Sequence, residues 1–272
     1  MTRYTRRQFI HAVSKAGLGI AAAGALGLHP CRASAHQKVE TAQEMILIPG
    51  GPFIVGLDDR EGKRLAKRYH VHPSWLASAV PRKELELADF YIDKYPVTNA
   101  HYFKFVLNTG AGWVYGKDNP PPEEVRGYPA VSLNCQDAAD YAVWAGKRLP
   151  TEEEWEKAAR GQRGFLFPWG NNWDADRCFC NASHTASGGK LGPVDAHPNG
   201  SSPYGVMDMA GNCCEWTSTP YGPESNVVKG GFFRQHARFL FLSAYRNMSQ
   251  HRGNRQDYIG FRCAKSVEDG NE

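Results

Sequence analysis

Residues 204–217, YGVMDMAGNCCEWT, constrain the fold of this chain more than any other stretch. Asp208, Asn212 and Glu215 make the stretch too polar for an ordinary core strand. Val206, Met207, Met209 and Trp216 make it too apolar for a surface loop. Gly205 and Gly211 supply tight backbone, and two carboxylates, Asp208 and Glu215, flank the turn at Gly211-Asn212. Oxygen donors around a glycine turn suit a hard cation such as Ca²⁺. They equally suit a buried turn whose carboxylates bond backbone N–H groups, and the chemistry of the stretch leaves both readings open.

Composition adds bounds. The 28 glycines and 17 prolines among 272 residues predict many turns and few long helices. A formal net charge of +4 with no basic run beyond the N-terminus argues against a nucleic-acid partner. The pattern predicts a strand over residues 45–55 with a Gly-Gly-Pro turn inside it. Residues 58–74, charged and basic, read as a solvated loop or short helix, and His70-Val71-His72 within them is an H-x-H arrangement known among metal ligands. Helices are predicted over 98–107, 134–145 and from Thr151 onward, where Thr151 and Glu154 form a capping box. About three helices, scattered short strands and long loops make an α+β domain.

The N-terminus reads as an address. Arg6-Arg7 in TRRQFI is a twin-arginine consensus, followed by a mildly apolar run and Ala33-Ser34-Ala35 as a cleavage site. Residues 1–35 are the expected signal peptide and 36–272 one domain, its core about 45–265. The expected location is the periplasm, with no stable membrane insertion after cleavage.

The 204–217 stretch resembles the G-(L/V)-x-D-M-x-G-N-x-x-E-W-T signature of the formylglycine-generating enzyme, or sulfatase-modifying factor, family. MILIPGGPF at 45–53, FYIDKYPVTN at 90–99, AGKRLPTEEEWE at 145–156, FPWG at 167–170 and IGFRCA at 259–264 resemble further family segments, in family order. The resemblance implies a C-type-lectin-like fold, loop-rich and poor in regular structure. It also implies oxidation of a substrate cysteine to formylglycine, with copper held by two cysteines. Here Gln235 and Leu240 stand at the two cysteine positions and Phe232 at the serine before them. Cu(I) needs soft thiolates, so standard formylglycine generation is not expected, and copper or iron lacks its usual ligands. Members without the cysteine pair exist, the pyoverdine-maturation type among them.

From the same resemblance, Asp208, Gly211, Cys213 and Glu215 are the expected Ca²⁺ ligands, with Asn181 at the start of a second, incomplete site. Gln235, His236 and Arg238 surround the missing pair and are the candidate catalytic residues. Cys263 stands where the family places a disulfide cysteine, and its usual partner position is Ala142, so a bridge would need Cys135 instead. Cys178, Cys180, Cys213 and Cys214 read either as a thiol site or as structural bridges and buried thiols. Two functions stay open: a periplasmic oxidoreductase or maturation factor acting on a protein or peptide-derived substrate, and a non-catalytic lectin-like module that holds a partner protein.

Overall fold

The computed structural model describes residues 43–181, 188–247 and 249–267. The expected signal peptide, residues 1–35, lies outside the described residues. Among the described residues, four α-helices and nine short strands are joined by long ordered loops, giving the α+β architecture expected. The fourth helix comes from the 58–74 stretch: α1 (Asp59–Tyr69), followed by a 3-10 helix (Pro73–Ala79). Asp58 caps α1 by accepting from the Glu61 amide, and His70 ends it in the left-handed region at φ 56°. His72 caps the 3-10 helix and bonds Ser74, so the two histidines serve two helix ends and do not form an extended metal pair.

The remaining helices start where side-chain chemistry predicts. Thr98 caps α2 (Asn99–Thr109), Asn134 and Asp137 box α3 (Cys135–Trp144), and Thr151 and Glu154 box α4 (Glu152–Arg160). Each such cap stabilises a helix by about 1 kcal/mol. The 45–55 stretch is two strands in different sheets. β1 (Met45–Ile48) pairs antiparallel with β4 (Phe90–Asp93), which also pairs with β9 (Ala264–Ser266), while β2 (Gly51–Val55) pairs antiparallel with β3 (Lys83–Leu87) in a separate two-stranded sheet. The third sheet orders β7 (Ser249–His251), β6 (Ser225–Lys229), β5 (Cys214–Pro220) and β8 (Ile259–Gly260), with β5 and β8 parallel.

Helix α4 positions the site. Its sequence, EEEWEKAAR, is largely charged, yet Glu152 and every residue from Glu154 to Arg160 is buried. Burial of ions is tolerated only with partners. Glu156 supplies them: Arg160 Nη1 donates at 2.6 Å, Lys229 Nζ at 2.9 Å and the Gly56 amide at 2.7 Å. Burial raises the Glu156 pKa, but Lys229, Arg160 and those hydrogen bonds prevail and hold it below its ordinary 4.5. A carboxyl whose folded pKa is depressed adds stability above its unfolded pKa, and that stability is lost as pH falls through the folded value. The stability gap between wild type and Glu156→Gln should therefore be full at pH 7 and shrink below about pH 4.5. Urea unfolding of both proteins across that range checks it, and a gap independent of pH would refute the assignment.

Candidate functional site

The loop that follows β6 carries the candidate catalytic positions. Gly230 and Gly231 adopt φ of 102° and 70°, and a side chain at Gly231 would lie 2.8 Å from the Phe241 ring, so the chain turns here only with glycine. Phe232 stacks on Tyr258 with ring centroids 4.2 Å apart and fills space beside the turn. Gln235 accepts from the Phe232 amide at 3.1 Å, donates to Asn247 Oδ1 at 3.0 Å, and its carbonyl receives the Asn181 amide at 2.8 Å. The Gln235 side-chain amide thus helps to close the loop. Leu240 is half-buried against the apolar cluster around Phe239 and Phe241. His236 and Arg238 are exposed. Asn181 is exposed and tied by its backbone to Gln235, with Gly189 against its side chain.

Behind the loop, the expected Ca²⁺ residues are divided between two roles. Glu215 is fully buried. Its Oε2 accepts from Arg262 Nε at 2.6 Å and Trp155 Nε1 at 2.8 Å, and its Oε1 from Arg262 Nη2 at 2.7 Å. Arg262 uses its remaining N–H groups on the carbonyls of Asp93, Lys94 and Met207, so its donor fork is filled. A carboxylate gripped this way has its charge answered by a guanidinium. Glu215 is thus ion-paired with Arg262 in this structure. Asp208, with φ 55°, accepts from Asn212 Nδ2 at 3.0 Å and has no cation bonded to it among the described residues; burial pushes its pKa up to about 7. Gly211 donates to the Gly230 carbonyl and Cys213 is buried beside Gly260. Among the described residues no group of three or more His, Cys, Asp or Glu side chains is arranged to hold a metal ion.

The six described cysteines, including Cys135 and Cys263, are buried thiols outside any disulfide, so the bridges weighed above are absent among them. Burial pushes the Cys213, Cys214 and Cys263 thiols well up, the hydrogen bond with Cys180 and then burial do so for Cys178, and burial takes Cys135 to about 11. Buried thiols held protonated are poor nucleophiles.

A cavity of about 370 Å³ lies against the 244–246 end of the same loop. Ser78, Val80, Glu152, Glu153, Ala244 and Arg246 contribute to its wall. Arg246 Nε donates to Glu152 Oε1 at 2.6 Å, and Lys229 Nζ lies 3.6 Å from the same oxygen. Glu152 Oε2 is buried with no hydrogen-bond partner. Such an atom lacks the donor that a buried carboxylate requires. Sequence reasoning read Thr151-Glu152-Glu153-Glu154 only as a helix start. The signal it missed is that Glu152 and Glu156, four apart, share one helix face.

The comparisons with known proteins agree with this architecture. The family described as the sulfatase-modifying factor enzyme 1-like domain matches residues 31–267. The formylglycine-generating enzyme of Thermomonospora curvata is 31% identical over 302 residues, covering 83% of this chain and 94% of that protein. The mouse inactive C-alpha-formylglycine-generating enzyme 2 is 29% identical over 278 residues, covering 82% and 86%. The uncharacterized protein YfmG of Bacillus subtilis is 30% identical over 283 residues, which are 85% of this chain but 56% of that protein. The structure of PvdO from Pseudomonas aeruginosa matches with a TM-score of 0.64 at 24% identity, over 83% of this chain and 95% of that one, a likeness of fold. With its signature turn, its helix order and its matched length in agreement, the chain belongs to the sulfatase-modifying factor, or formylglycine-generating enzyme, family.

Proposed function

We propose that this chain is a cysteine-less family member that holds and helps mature a protein or peptide-derived substrate in the periplasm, without the copper-dependent oxidation of cysteine. The observation that carries the reading is the pair Gln235 and Leu240: one is hydrogen-bonded into the loop, the other packs in an apolar cluster, and neither offers a thiolate. The cavity beside that loop supports a holding role. Apolar Val80 and Ala244 and the unpartnered Glu152 oxygen suit a small group that brings a hydrogen-bond donor. Export rests on the twin-arginine consensus and the Ala33-Ser34-Ala35 site; among the described residues no helix is long and apolar enough to cross a membrane.

The test is incubation of the purified protein with a C-x-P-x-R peptide, Cu and oxygen. No aldehyde product by mass spectrometry is the expected result, and formylglycine would overturn it. The second reading, an oxidoreductase on other ligands, is favoured by the relative named as a formylglycine-generating enzyme, which the chain matches over 94% of its length. Stoichiometric copper or iron in protein purified without chelator would select that reading over the first.

A further inference from the structure

We infer that the corner between α1 and the loop segment Arg238–Phe241 binds the carboxylate of an acidic peptide segment, with Arg64, Arg68, Arg238 and the Tyr69 hydroxyl as donors and Trp75 as the apolar wall. This goes beyond the proposed function and holds whether or not the chain is catalytic.

Three observations converge. Arg64 and Arg68 stand four apart on α1 and so share one face. Arg64 meets only Glu61, at 3.3 Å on the surface, while Arg68 and Arg238 have no carboxylate partner among the described residues. The Arg68 guanidinium lies 6.0 Å from the Tyr69 ring centre. Arg238 begins the 3-10 turn Arg238–Phe241, which contacts α1; Tyr69, Val71, Ala237 and Leu240 pack on one shared apolar cluster.

Second, the Tyr69 hydroxyl is buried with no hydrogen-bond partner. Burial pushes its pKa up, while Arg68, Arg238 and Arg64 pull the other way, so all three cations are felt at that oxygen. A hydroxyl and three guanidinium groups are rich in donors. The missing complement is a negatively charged acceptor, and the Arg fork matches a carboxylate.

Third, Trp75 is 55% exposed on the adjoining 3-10 helix. Its ring lies 5.6 Å from Phe239, which lies 5.6 Å from Tyr245. Exposed Trp and Arg are the residue types that binding anchors favour. Of the helix's own acids, Asp59 pairs with Lys63 and Glu61 reaches Arg64 only at 3.3 Å on the surface, and the last turn, with Lys67 and Arg68, holds no acid. An Asp or Glu flanked by an apolar residue matches both the charge and the wall.

The probe is a fluorescein-labelled peptide of alternating Glu and Leu, read by fluorescence anisotropy at low salt against its Gln-Leu counterpart. The inference expects the acidic peptide to bind, the Gln peptide to fail, and the affinity to fall roughly ten-fold or more in Arg68→Ala/Arg238→Ala and in Trp75→Ala. Inorganic phosphate should displace the peptide. Equal binding of both peptides, or unchanged affinity in the double arginine variant, would overturn the site. Quenching of Trp75 fluorescence by phosphate without any peptide binding would also overturn it, leaving a small-anion site.

Discussion

Replacing Glu215 with alanine is expected to remove about 3–5 kcal/mol of stability, because it strands the buried Arg262 charge. That is a large share of the roughly 5–15 kcal/mol typical of a folded domain. The loss exceeds that of an ordinary ion pair for a geometric reason. Arg262 ties the segment entering β9 to the carbonyls of Asp93, Lys94 and Met207, and Glu215 on β5 holds its fork in place. Trp155 Nε1 loses its acceptor in the same substitution. The double variant Glu215→Leu/Arg262→Met should regain part of the loss, since an apolar pair leaves no charge uncompensated. Urea unfolding measures all three proteins. A loss under about 1 kcal/mol for Glu215→Ala would sink the argument. So would a chelator that lowers wild-type stability and leaves the variant unmoved, because that result would place a cation on Glu215.

Gly211→Ala is the second substitution expected to be severe. Gly211 has φ 80°, where an L-residue is strained, and its added Cβ would sit 2.4 Å from the Phe179 carbonyl oxygen and 3.1 Å from Cys178 Cβ. Backbone at that distance has to move. The strain costs about 1–2 kcal/mol and the overlap a further ~1–3 kcal/mol. The damage would spread, because the Gly211 amide bonds the Gly230 carbonyl and the Asn212 amide bonds the Phe179 carbonyl. Gly222 is the control. It has nearly the same φ, 77°, but no atom lies within 4 Å of where its Cβ would stand, so Gly222→Ala should show the strain alone. Thermal melts of the two variants separate the effects, and equal melting temperatures would show that the Phe179 contact carries nothing.

These two sites mark the limit of what the sequence discloses. The starts of α2, α3 and α4 were legible because Thr98, Asn134 and Thr151 bond amides three residues away. Chemistry within one turn needs no knowledge of the fold. The role of Glu215 was not legible in that way: its partner Arg262 is 47 residues downstream, and the turn around Gly211 reads equally well as a cation cradle. The break between β1 and β2 was hidden for a related reason. Both are short apolar runs, and only pairing with β4 and β3 sends them to separate sheets. At the candidate site, the absence of cysteines at positions 235 and 240 was visible at once, whereas the bonds of Gln235 to Asn247 and Phe232 are products of loop closure. The stretch over 58–74 read as solvated because its charges outnumber its apolar residues; Leu65 and Ala66 nonetheless bury a face of α1 in a core cluster.

The six buried thiols have a consequence for how the molecule can be observed. A fold completed with reduced cysteines needs no oxidant to reach its native state. Each thiol is also a reporter shielded from reagent until its surroundings open. Cys135 and Cys214 belong to one apolar cluster and Cys178 and Cys180 to another. Alkylation rates resolved by mass spectrometry would therefore time the opening of each part of the core separately, and the chain carries these clocks without any engineered label.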